Sequence, residues 1–205
     1  ITISNNMVSN HGGGMYLSGS SFPAINNTII SGNTATRFGG GLYLTATGSF
    51  SINNTIISGN TADERGGGIY LGSTSPSLNN VTITGNTATY DGGGIFIYNG
   101  SSPIIKNSIL WNNAQEQVEL ASWGSSNSIT VSYSTVQAGE LGIETNNNGT
   151  INWLDGNIDS DPLFTDVTNG DYSLSDYSPA IGAGTSVGAT TTDIDGNSRP
   201  DPQGS

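Results

Sequence analysis

The sequence predicts an all-β solenoid, a parallel β-helix with three short strands per coil and 26–27 residues per coil. Three observations predict it: an internal repeat, an alternation of aliphatic and polar residues inside each unit, and a composition rich in turn formers and poor in helix formers. Residues 12–38 read GGGMYLSGSSFPAINNTIISGNTATRF and 39–65 read GGGLYLTATGSFSINNTIISGNTADER. Residues 66–91 read GGGIYLGSTSPSLNNVTITGNTATYD and 92–117 read GGGIFIYNGSSPIIKNSILWNNAQEQ, while ITISNNMVSNH at 1–11 matches the last third of a unit. So short a period without helical spacing excludes propeller blades and points to a solenoid.

Within a coil the first strand places Ile69 and Leu71 on one face, the second Pro76 and Leu78, and the third Val81 and Ile83. Stacking like on like gives inward columns Met15/Leu42/Ile69/Ile95, Leu17/Leu44/Leu71/Ile97, Ile25/Ile52/Leu78/Ile105 and Ile30/Ile57/Ile83/Leu110. Each coil then buries its apolar face only against its neighbours. Asn27, Asn54, Asn80 and Asn107 recur between the second and third strands, and Asn6, Asn33, Asn60, Asn86 and Asn113 recur after the third. Asn tolerates left-handed backbone and can both donate and accept, so both columns are expected to be structural ladders along the axis. Asn26, Asn53 and Asn80 also lie in N-x-[ST] strings, but the ladder explains them without glycosylation. The Gly triplets 12–14, 39–41, 66–68 and 92–94 mark a bend that needs positive φ or close coil approach.

Composition narrows function. The net charge is −12 with four Lys and Arg, which excludes attraction to a nucleic-acid backbone. Three of the sixteen carboxylates precede residue 115 and thirteen follow it, so residues 1–117 are expected to form regular coils and 118–205 irregular acidic coils with a capping segment. Cysteine is absent, and no stretch approaches the ~20 apolar residues of a membrane span.

Units of the form GGGIY…SP…NN.TI.GNTA resemble the bacterial right-handed parallel β-helix repeat proteins and are similar to polymorphic outer-membrane protein and pectate-lyase-like repeats. Asp161-Pro162-Leu163-Phe164, GDYSL at 170–174, SPAIGAG at 178–184 and DIDGNSRP at 193–200 resemble the C-terminal portion of large secreted or surface-anchored members. The resemblance implies a right-handed coil and an extracellular or bacterial cell-surface location, but no single activity, because lyases, hydrolases, adhesins and plain scaffolds share this fold.

Candidate chemistry is sparse. A lyase of this fold needs an Arg or Lys base and often Ca²⁺ held by carboxylates. Arg37 and Arg65 stand at matching places before Gly triplets, where Asp91 follows in the next unit, so a surface turn explains them. Lys106 and the single His11 read as structural. Asp63, Glu64 and Asp91 lie in turns and form no hydrolase pair. Asp155, Asp159 and Asp161, and separately Asp193 and Asp195 beside Gly196, could supply oxygen ligands to Ca²⁺, but Asx-turns explain both strings.

If the flanking aliphatics point inward, Tyr16, Tyr43, Tyr70 and Phe96 point outward and stack. Ile29, Ile56 and Ile109 are expected to form a second outward stripe. Contiguous exposed apolar rows mark a contact surface, although stacking also stabilises a sheet by itself. Ile1-Thr2-Ile3 begins within a coil, which calls for upstream coils or a covering subunit. The expected function is a non-catalytic extracellular structural or adhesin-like module, possible partners being other copies of itself, cell-surface or matrix components, or polysaccharide. Head-to-tail filament assembly and a polysaccharide-lyase-like activity on acidic glycans are the competing expectations.

Overall fold

The structure, a computed structural model, describes residues 1–19, 24–46 and 50–199. Pro200 and the residues after it, with the end of the DIDGNSRP string, lie outside the described residues.

The first strand of every coil joins one parallel sheet of six: Met15–Gly19, Leu42–Ala46, Ile69–Gly72, Ile95–Tyr98, Val118–Leu120 and Ile143–Glu144. The second and third segments share a ten-stranded sheet and fuse in two coils into single strands, Ser51–Ser58 and Ser77–Thr84. Those strands bend at Asn54 and Asn80, whose φ angles are 52° and 57°. Two-residue strands Met7–Val8, Thr34–Ala35, Thr61–Ala62 and Thr87–Ala88 close each early coil as a third, narrow sheet. The Thr-Ala pairs thus form a third side that the aliphatic pattern does not reveal, because two residues are too few to alternate.

Register follows the aliphatic columns. Ile69 pairs with Leu42 and Ile95, Leu78 with Ile52 and Ile105, and Ile83 with Ile57 and Leu110. These residues form one continuous buried cluster. Each fully buried Ile or Leu contributes roughly 1.5–3 kcal/mol, against about 0–1 kcal/mol for an exposed ion pair, so the columns hold the coils together. Among them runs a row of inward hydroxyls: Thr28, Thr55, Ser108 and Ser134 are buried, and each donates to the carbonyl two residues back at 2.7–2.9 Å. That local bond lets a polar side chain enter the core without an unsatisfied donor.

The two Asn columns differ. Asn33, Asn60, Asn86 and Asn113 are buried, and each of the amides of Asn6, Asn33, Asn60 and Asn86 donates to the next Oδ1 at 2.9 Å. The ladder ends where the Asn113 amide donates to Gln117 Oε1 at 2.8 Å. The other column is a corner rather than a ladder, a correction to the expectation: Asn27, Asn54, Asn80 and Asn107 all have φ near 50–57°, and axial amide bonding within this column is seen from Asn54 to Asn27, at 2.8 Å. A positive φ turns these side chains outward, away from the axis.

Parallel pairing continues beyond residue 117 through Asn127–Ser132 and Gly149–Trp153. After a short antiparallel hairpin, Phe164–Asp166 with Asp171–Leu174, the chain turns back along the ten-stranded sheet. Residues 184–199, here called the strap, lie across its outer face, where Thr185 meets Asn107, Thr190 meets Asn80 and Thr192 meets Asn54.

Candidate functional site

The outer face of the six-stranded sheet carries a wall of rings. Tyr16, Tyr43, Tyr70 and Phe96 occupy paired positions on successive strands. The Tyr16–Tyr43 and Tyr43–Tyr70 centroids are each 4.9 Å apart and near parallel, and Tyr70–Phe96 follows at 5.5 Å. A second file joins it: His11 stacks on Phe38 at 4.9 Å and on Tyr43 at 4.6 Å, and Phe38 stacks on Tyr70 at 5.0 Å. Tyr98 and Trp123 close the far end, packing against each other at 6.0 Å. The strand spacing of ~4.8 Å is close to the distance at which aromatic rings stack, so one ring per coil at a fixed position produces such a pile.

The stack agrees with the sequence reading, but its exposure does not. Tyr16 is 52 % exposed, whereas Tyr70 is 6 % and Phe96 0 % exposed. The second file, Tyr98 and Ala121 cover the later rings. The accessible part of the row is therefore Tyr16 with half-buried Tyr43. Residues His11, Phe38, Tyr98 and Trp123 extend the wall beyond the four positions recognised in sequence. Phe38 and His11 share one place before the Gly triplets, a signal the sequence does contain.

Charges line this wall. Arg37 Nε meets Glu64 Oε1 at 2.9 Å, and Arg65 Nε meets Asp91 Oδ2 at 2.5 Å. The Arg65 guanidinium also lies 4.9 Å from the Trp123 ring centroid. The equivalence of Arg37 and Arg65 is corrected: Phe38 and Asp91 bridge to Arg65, and Arg37 stands in register with Glu64. Each Arg is thereby paired with a carboxylate of the next coil. Burial lowers the pKa of His11, Arg37 adds to the effect and Glu64 opposes it.

One carboxylate stands apart. Glu119 takes the ring position in the fifth strand, opposite Phe96, and is buried. Its oxygens accept from Gly92 N at 3.0 Å and Asn146 Nδ2 at 2.8 Å. Burial pushes its pKa up to about 7; the Asn146 bond opposes this, while Asp91 and Glu116 reinforce it. Glu119 lies outside the four clear units and so carries no repeat signal of its own, although Val118-Glu119-Leu120 aligns with Ile95-Phe96-Ile97.

The second expected stripe, Ile29, Ile56 and Ile109, is half-buried and faces the strap across an open cleft of about 1500 Å³. Thr82 interrupts it between Ile56 and Ile109. Of the five acidic residues, Asp159, Asp161 and Asp193 accept from backbone N–H groups, the last two within turns. Asp159 accepts from Ala138 N and Asp161 from Leu163 N, both at 2.9 Å. Asp193 accepts from Asp195 N, Asn197 N and Asn197 Nδ2 at 2.8–3.0 Å. Partial burial works against its charge, but the Asn197 and Asp195 bonds prevail and lower its pKa. Asp155 and Asp195 are exposed. Among the described residues no three His, Asp or Glu side chains come together in a group that could hold a metal ion.

The piled sheets and the in-register Gly corners define a β-helix. Residues 39–197 match the family model of the right-handed β-helix region, and the chain belongs to that family. Residues 27–45 match the repeat of the Chlamydia polymorphic membrane proteins. Among curated proteins and among solved structures nothing matches the chain. No helix among the described residues is long and apolar enough to cross a membrane.

Proposed function

We propose that the chain is a non-catalytic, adhesin-like β-solenoid module of a bacterial cell-surface protein, and that the accessible end of its ring wall is the contact face. The observation that carries this reading is the parallel stack itself. Rings piled along the axis turn their faces to one another and offer edges and hydroxyls sideways, as half-buried Tyr43 does between Tyr16 and Tyr70. Edges of that kind suit a protein surface, whereas a sugar ring is held by an open aromatic face. The net charge of −12 further disfavours an acidic glycan. The polymorphic-membrane-protein repeat supports placement at the cell surface.

Two measurements test it. Retention of the chain on cells or matrix-coated surfaces should fall at least about tenfold in a Tyr16→Ala/Tyr43→Ala variant, the loss typical of an aromatic anchor; unchanged retention would overturn the assignment of the face. Incubation with uronate polysaccharides should leave their ultraviolet absorbance unchanged. Steady release of unsaturated product would establish the lyase-like reading instead.

A further inference from the structure

The turn after the last strand of the six-stranded sheet is pinned down by its own amides. Residues 145–148 close a tight turn in which Asn148 N donates to Thr145 O at 3.0 Å, and the two central residues, Asn146 and Asn147, have φ 50° and 57°. Asn is at home in that conformation. Asn146 Nδ2 donates to Glu119 Oε1 at 2.8 Å and to Leu120 O at 3.0 Å, and Asn148 Nδ2 donates to Ala121 O at 2.9 Å. The main-chain N of Asn146 donates to Glu144 Oε1 at 2.8 Å. One residue therefore clamps two carboxylates, Glu119 by its side chain and Glu144 by its backbone.

Glu119 and Glu144 stand in register on neighbouring parallel strands, the first buried and the second exposed. On the other side Phe96 pairs with Glu119 and brings no charge. Asp91 adjoins Gly92, whose N–H donates to Glu119 Oε2, and Glu116 precedes the Glu119 strand; both raise the cost of ionising Glu119. Arg65, close by on the ring wall, is taken up by Asp91 and Glu64. An ionised Glu119 is thus a buried charge with neutral donors alone for partners, whereas a protonated one is a neutral group beneath the turn.

We propose that Glu119 and Asn146 form a proton-operated latch: a proton held at Glu119 keeps the turn of residues 145–148 closed over the strand Val118–Leu120, and its loss lets the turn lift until Glu119 meets water. Ala121, pinned by Asn148, also packs with Phe96 beside the ring wall, so the latch holds down one end of the wall's cover. It does not depend on which partner the wall takes. Burial, the largest cause, raises the Glu119 pKa in the closed turn from 4.5 to about 7. Closure therefore binds the proton more tightly than the open turn does, and its advantage is lost as pH rises through that window.

Hydrogen exchange of the full chain, read by mass spectrometry and corrected for the intrinsic effect of pH on amides, tests the latch. From about pH 5.5 to about pH 8 opening of residues 143–149 should increase at least about tenfold, as a proton bound with that difference requires. Residues 52–58, inside the coils, should not change, and their protection shows that each variant folds. Glu119→Gln removes the titrating group and should level the two pH values at 143–149. Asn146→Gly keeps the positive φ and removes only the amide, so opening at the lower pH should rise at least about fivefold. No increase with pH in the wild type, or an equal one in Glu119→Gln, would overturn the latch. So would an increase shared by 52–58, or an Asn146→Gly chain that opens no more than the wild type.

Discussion

The Asn60 amide meets four partners: Nδ2 donates to Ile30 O and Asn86 Oδ1, and Oδ1 accepts from Asn33 N and Asn33 Nδ2, all at 2.9–3.0 Å. Asn60→Ala strands the two Asn33 donors and the Ile30 carbonyl away from water, and should lower unfolding free energy in urea by on the order of 3 kcal/mol. Asn80→Gly, at an outward corner, should cost under about 1 kcal/mol in the same assay. The two columns were equally visible in the sequence, but which one forms the axial ladder was not, because the residue type is the same and it is the positive φ of the corner column that separates them. Glu119 makes a second prediction. Its pKa is raised from 4.5 to about 7, so between those values the folded chain keeps a proton that the unfolded chain releases. Its contribution to stability therefore falls as pH rises through that window, by on the order of 1–3 kcal/mol. Urea midpoints at pH 4.5, 6 and 8 should fall more steeply in the wild type than in Glu119→Gln; parallel slopes would assign the proton elsewhere.

A coil corner depends on close backbone approach. A Cβ on Gly67 would lie 2.4 Å from the Thr87 carbonyl oxygen and 2.6 Å from that of Gly93, so neighbouring coils would have to part. Gly59 has φ 61° with nothing within 4 Å of its Cβ direction. Gly67→Ala should prevent cooperative folding or broaden the thermal transition, whereas Gly59→Ala should cost only the ~1–2 kcal/mol of left-handed backbone. Calorimetry separates them, and equal losses would argue against packing as the cause. Strands of four to eight residues announce themselves by alternation, and their columns were legible at residue level from Met15 to Leu110. The Thr-Ala side and the strap were not, since one is too short for a pattern and the other is held mostly through its main-chain atoms, with the Thr190 hydroxyl the side chain that joins them.

For the molecule as a whole, nearly every bond that joins coils links residues 20–30 apart, about one coil, so order passes from one layer to the next. Hydrogen exchange should accordingly be slowest for Ile57, Ile83 and Leu71, which lie between covered layers, and fast in the strap. Asn80→Gly/Asn107→Gly should hasten exchange and proteolysis at 184–199 while leaving those interior amides unchanged; a simultaneous loss at both would make the strap part of one cooperative unit. The matching corners carry a consequence for the molecule's history and its engineering. A duplicate of residues 39–65 spliced in before Gly66 would find the same lower and upper faces waiting for it, with ring, amide and glycine each meeting its own kind. Reach is thus adjustable by copying, at about 4.8 Å per inserted unit, with no new design problem posed at either joint.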